Sequence, residues 1–216
     1  MTLAELRRQC AGGENLYTEF KRKLPEWDKL MREVVAFANT EGGAVFIGVD
    51  DDGHLAGIKD PREIEEILGD KIASWVKPIP VFTIERVPIT PKRAVIAVHV
   101  AQSQTKPHVV RKHPEAEKGT ATIRIADSSV TASREMFELL KYEGRERNMK
   151  VEYGDKERAL MQYLQENDFI TVAAFAQIAK IPRSSASRTL VHLAKANVLR
   201  AIPKIDAPDQ FVPRFD

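Results

Sequence analysis

The chain has 216 residues, 43% of them apolar and 30% charged, with a formal net charge of +2, which is ordinary for a soluble globular protein of one large or two modest domains. Its single cysteine, Cys10, excludes an internal disulfide and a cysteine-built zinc cluster, and points to a reducing compartment. Apolar runs such as residues 44–49 are too short to span a bilayer, and the opening MTLAELRRQC lacks the basic-then-apolar order of a signal peptide, so a cytoplasmic protein with no membrane partner is expected.

In chain order, residues 1–13 read as a short helix stopped by Gly12 and Gly13, and residues 16–21 as a strand with the alternation LYTEFK. Pro25 opens a helix whose apolar positions Leu30, Met31, Val34, Val35, Phe37 and Ala38 recur at helical spacing; Gly42 and Gly43 end it. AVFIGV, residues 44–49, is a buried strand by length and composition. A turn at residues 50–53 and a short returning strand at 54–58 follow, since Asp-Gly tolerates hairpin geometry. Pro61 suits the first turn of a helix reaching about Val76, which Pro78 and Pro80 terminate.

Strands are expected near residues 81–87, 94–100 and 121–126. Between the last two lies a polar surface loop, residues 102–119, with a brief strand at 108–111. Thr131 caps a helix running to about Tyr142. The stretch KYEGRERNMKVEYGDKE then has almost no aliphatic residues, so the domain boundary is placed near Asn148, dividing the chain into residues 1–148 and 149–216.

The second part reads as a helix at residues 155–167, a helix at 172–179 capped by Thr171, and a third helix capped by Ser184 or Ser185 and reaching about Ala196. Strands at residues 198–202 and 210–213 flank a turn. This order resembles the winged helix-turn-helix family. From Phe169 to Ile205 there are basic residues at Lys180, Arg183, Arg188, Lys195, Arg200 and Lys204, and no acidic residue. A one-signed stretch of this kind attracts phosphates. Ser184, Ser185, Ser187, Arg188, Val191, His192 and Lys195 fall on the third helix's outer face, where small and hydroxylic side chains allow close approach to a major groove. The expected partner is nucleic acid, DNA ahead of RNA, bound by a homodimer. The alternative is a protein-interaction module whose basic face is simply solvated.

Three blocks of the first part, GGENLYTEFKRKL, VVAFANTEGGAVFIGVDDDGHLAGI and TIRIADSSVTASREMFELL, resemble the Schlafen-type AlbA-like domain family over roughly residues 12–140. The resemblance implies an α/β (α+β) domain with a small mixed sheet, ahead of the winged helix, in a DNA-binding regulator. It implies a second reading as well. In some eukaryotic relatives two glutamates of the first block and an aspartate of the second form a metal-dependent ribonuclease site. The matching positions are Glu14, Glu19 and Asp51, with Asp50 adjacent, and Mg²⁺ or Mn²⁺ would be the metal. The bland reading makes these acids caps and turn formers, with no cofactor.

Arg124, on the strand of the third block, joins the basic candidates for nucleic-acid contact, together with Lys106, His108, Arg111, Lys112 and His113 of the preceding loop. No GxxxxGK[ST] phosphate loop, HExxH helix or GxSxG elbow is present.

Overall fold

The computed structural model describes residues 1–143 and 150–214. They divide into two compact units, Met1–Thr131 and Ala132–Asp216. The expected boundary near Asn148 lies outside the described residues.

The first unit opens with α1 (Leu3–Cys10), capped by Thr2, whose side chain accepts from the Glu5 amide while Glu5 reaches back to the Thr2 amide. β1 (Thr18–Lys21), α2 (Trp27–Asn39) and β2 (Gly43–Ile47) follow. The returning strand expected at residues 54–58 is reduced to two isolated bridges, Val49 with Leu55 and Ile58 with Ala94. Then come α3 (Pro61–Trp75), β3 (Val76–Lys77), β4 (Phe82–Thr90), β5 (Arg93–Val100), β6 (Val109–Arg111), β7 (Gly119–Thr120), β8 (Thr122–Ile125) and β9 (Ser128–Thr131).

The main sheet has the order β1-β2-β5-β4, with β1 and β2 parallel and the other pairs antiparallel, so the expected small mixed sheet is present. Val45 and Ile47 of β2 and Ile96, Val98 and Val100 of β5 join the core built with α2 and α3. Ala44 and Phe46 of β2 and Val95 and Ala97 of β5 join a second core with Leu6 and Cys10 of α1. A strand covered on both faces loses its polar alternation, which is why β2 and β5 are almost continuously apolar. β8 and β9 form a separate hairpin that packs on α2.

Gly42 and Gly43 serve this packing. A β-carbon at Gly42 would stand 2.8 Å from the Gln102 amide nitrogen, and one at Gly43 would stand 2.4 Å from the Phe37 ring. The close approach that glycine permits here is to the protein's own backbone and core.

The second unit contains α4 (Arg134–Leu140), α5 (Asp155–Glu166), α6 (Val172–Ile178), α7 (Arg183–Lys195), β10 (Leu199–Ile202) and β11 (Gln210–Pro213). Ser133, and not Thr131, caps α4 through the Met136 amide, because Thr131 is the last residue of β9. Thr171 caps α6 as expected. α7 starts earlier than its serines suggest: the Pro182 carbonyl already accepts from the amides of Ser185 and Ala186, at 2.9 and 3.0 Å. Leu160, Phe175, Ala186, Leu190, Leu193, Leu199 and Phe211 form the core of this unit. Among the described residues no helix is long and apolar enough to cross a membrane.

Candidate nucleic-acid interface

In the second unit, α6, a short turn and α7 are followed by the antiparallel pair β10–β11. Lys180 lies in the turn at φ 52°, held there by its amide bond to the Gln177 carbonyl. Lys180, Arg183, Ser184, Arg188, Arg200 and Lys204 are exposed and Ser185 is partly exposed. Among the described residues, none of Lys180, Arg183, Arg188, Arg200 and Lys204 enters an ion pair. The Arg188 Nε donates to the Ser184 carbonyl one turn back, at 3.3 Å, which leaves the rest of its guanidinium facing outward.

The rest of the expected outer face of α7 is occupied. α4 packs along it. Ser187 is buried and its hydroxyl donates to the Glu135 carboxylate. Val191 is buried. Lys195 Nζ lies 3.8 Å from the centre of the Tyr142 ring. His192 Nε2 sits 3.1 Å from the Lys150 carbonyl oxygen. Ser187, His192 and Lys195 are thus engaged within the unit, and the open part of α7 is its first half. The groove beside it is mixed in charge: Lys150 and Arg188 line it together with Glu152 and Asp155.

Arg124 is also not at a surface. Its side chain is 0% exposed. Nη1 donates to Glu19 Oε2 at 2.7 Å, to Glu33 Oε2 at 3.2 Å and to Ser129 Oγ at 3.2 Å. Nη2 donates to the carbonyls of Asn15 and Thr18, at 2.7 and 3.4 Å. The guanidinium lies 4.8 Å from the centre of the Phe37 ring. A planar fork that donates to several acceptors at once suits arginine better than lysine. Its position as a nucleic-acid contact is excluded by this burial. His108 of the preceding loop is buried too, at 0% exposure.

The four acids singled out from the sequence fare differently from one another. Glu14 Oε1 accepts from the Phe20 amide at 2.7 Å. Burial raises its pKa, the Phe20 bond opposes that, and the charges of Glu19 and Asp51 raise it further. Those three carboxylates are therefore electrostatic neighbours. Glu19 is buried with both oxygens engaged, one by Arg124 and one by Lys21. Asp50 pairs with Arg22 at 3.2 Å, and Asp51 is exposed. Among the described residues no group of three or more His, Cys, Asp or Glu side chains is placed to hold a metal ion. The donor set Glu14, Glu19, Asp50 and Asp51 does not fit a divalent cation in this arrangement, because two resident cations already take the charge of Glu19.

Glu33 is the partner that sequence reading missed. It accepts from Arg124 and, at 2.5 Å, from Ser129. Burial, with the Glu19 charge behind it, pushes its pKa above the usual carboxylate range. On α2 it reads as one more polar residue on a helix, and only its position opposite β8 and β9 reveals it.

The protein-family model described as Schlafen, AlbA_2 matches residues 14–133. Among solved structures, the DIP2311 protein from Corynebacterium diphtheriae is similar at 19% identity and TM-score 0.50, over 88% of this chain and 36% of that one. The N-terminal domain of a RecG-related protein from Nitrosomonas europaea is similar at 23% identity and TM-score 0.43, over 62% of this chain and 93% of that domain. The chain thus spans little more than a third of the length of the Corynebacterium protein. The Corynebacterium likeness bears on the fold alone.

Proposed function

Because the chain belongs to the Schlafen, AlbA_2 family over residues 14–133, we propose that it binds nucleic acid and acts as a DNA-binding transcriptional regulator, with α5, α6, α7 and the β10–β11 pair working as a winged helix-turn-helix. The observation that carries this reading is the set Lys180, Arg183, Arg188, Arg200 and Lys204. All five are exposed, all five lack an ion pair among the described residues, and they lie on the turn before α7, the first half of α7, β10 and the loop that follows it.

In this reading the first turns of α7 enter a major groove, where the N-terminal residues of a recognition helix meet base edges. Ser184 is small enough for close approach. Arg183 and Arg188 reach a base edge or phosphate, and Arg200 and Lys204 hold the neighbouring backbone. Two copies on a symmetric site would set their α7 helices roughly 34 Å apart, one turn of DNA. The test is fluorescence anisotropy with labelled duplex DNA, single-stranded DNA and structured RNA. Tightest binding to duplex, weakened by Arg183→Ala and Arg188→Ala, supports the reading; no binding to any probe at low salt refutes it.

A divalent-metal-dependent nuclease is the second reading, and one observation favours it: β1, which carries Glu19, pairs in parallel with β2, whose chain runs on to Asp50 and Asp51. Such a site would require Arg124 and Lys21 to release Glu19. Incubating the same probes with and without Mn²⁺ separates the two readings. Cleavage abolished by Glu19→Gln supports the nuclease; intact probe that is nonetheless bound supports the regulator.

A further inference from the structure

On the first unit a cleft lies between the segment leading into α3 and the β4–β5 hairpin. Lys59 and Arg62 stand on one wall, and Arg86, Lys92 and Arg93 on the other. The walls are distant in sequence but locked together by backbone. The Ile58 amide donates to the Ala94 carbonyl at 2.8 Å, and the Ala94 amide returns to Ile58 at 3.3 Å. Arg93 Nη1 reinforces the joint by donating to the carbonyls of Ala56 and Gly57, at 3.1 and 2.8 Å. The backbone beside Lys59 and that beside Lys92 are therefore joined at Ile58 and Ala94.

Their charge is largely unspent. Arg86 is paired with Glu65 at 3.4 Å. Lys59, Arg62 and Lys92 are exposed and enter no ion pair among the described residues, although Asp60 and Glu63 line the same cleft. Like charges that line one cleft without partners repel each other, so this arrangement favours an anion between the walls. The lining also says which anion. It contains no aromatic side chain, so no face is offered for a base to stack on. Pro61, Pro88 and Pro91 stiffen the walls and bring no amide donors of their own. What remains is recognition of charge along an open channel.

We infer that this cleft grips the phosphodiester backbone of nucleic acid without regard to sequence, as a second contact separate from α7. The inference rests on the nucleic-acid reading above. It adds a site in the first unit and divides the labour: the cleft supplies affinity and salt dependence, and α7 supplies selectivity.

The test uses the full chain with Lys59, Arg62 and Lys92 all changed to Glu, beside the milder triple change to Gln. These positions are exposed and unpaired, and circular dichroism checks that both variants stay folded. Affinity for a long duplex of random sequence is measured against salt, for the wild type, both triple variants and Arg188→Ala. The Glu variant is expected to lose on the order of tenfold or more in affinity. The Gln variant should lower the slope of log affinity on log salt by about 0.9 for each phosphate no longer neutralised. A wild type that binds while both triple variants match it in affinity and slope overturns the cleft and leaves α7 standing. A wild type that binds no nucleic acid overturns both. Inorganic phosphate at matched ionic strength is the final arm: if phosphate binds the wild type through Lys59, Arg62 and Lys92 while the triple variants keep wild-type affinity for DNA, the cleft is a free-phosphate site and the backbone assignment fails.

Discussion

Arg124 Nη1 stands 2.7 Å from Glu19 Oε2, joining two residues 105 positions apart inside the first unit. The contact ties β8 to β1, and Glu33 extends it to α2. Arg124→Ala would strand buried carboxylates on both sides of the gap. Removing one partner of a buried ion pair costs about 3–5 kcal/mol. Urea unfolding should show a loss of that order, and Arg124→Lys should recover only part of it because the fork geometry is gone. An unchanged midpoint in Arg124→Ala would show that the cluster does not stabilise the unit.

Glu33 makes the stability depend on pH. Its pKa is raised in the folded protein above the ordinary value of 4.5. The folded state therefore holds that proton more tightly than the unfolded chain does. This contribution is fully present below 4.5 and is lost as pH rises through the raised value. Glu14 shifts in the same direction. The stability of the wild type relative to Glu33→Gln should fall as pH rises above 4.5. A difference that stays flat, or grows, contradicts the assignment.

Asn39 is a second keystone. Its side-chain amide accepts from the His108 amide at 2.7 Å and donates to the carbonyls of His108 and Thr122, both at 2.9 Å. Asn39→Ala leaves three buried backbone groups without a partner, and each such group costs about 1–3 kcal/mol. A loss of at least about 2 kcal/mol is expected in denaturant melts. Asn39→Asp should fare no better, since it turns an acceptor toward two carbonyls. A near-neutral result for both would mean that another group satisfies those bonds.

Along α7 the residues should separate into two kinds. Arg188→Ala is expected to weaken duplex binding by about 1–3 kcal/mol and leave stability alone. Ser187→Ala should do the reverse, costing about 1 kcal/mol of stability through the lost bond to Glu135 with affinity unchanged. Anisotropy titrations paired with thermal melts read both. Weaker binding by Ser187→Ala without a change in stability would return that residue to the contact surface.

Salt gives a cruder check on the whole surface. Several unpaired cations meeting phosphates release counterions, so affinity should fall steeply from low to moderate salt. A flat log–log plot would mean that the basic window faces something other than a phosphate backbone.

What could be read in advance follows from how local each signal is. α2, α3, β2, β5 and α6 were legible because periodicity, a cap or an apolar run lies within each segment. β9 was not, since SSVT has no apolar alternation and its partner is supplied by β8. The same holds for the candidate sites. The basic stretch around α7 is visible as composition, but the burial of Ser187 and the stacking of Lys195 depend on Glu135 and Tyr142, more than a helix away in sequence. Arg124 looks like a free cation until Glu19, Glu33 and Ser129 converge on it. The family blocks located Glu14 and Glu19 without revealing that Lys21 and Arg124 already hold Glu19.

Ile170 and Phe211 exchange both backbone hydrogen bonds, at 2.9 and 2.8 Å. The pair β10–β11 is thereby fastened to the residue just before the Thr171 cap of α6, so it cannot swing as a free flap. Lys204, in the loop that joins the two strands, is therefore carried by a pair anchored at the root of α6. On the proposed reading, a substitution that loosens the Ile170–Phe211 junction is expected to weaken DNA binding without removing any contact residue.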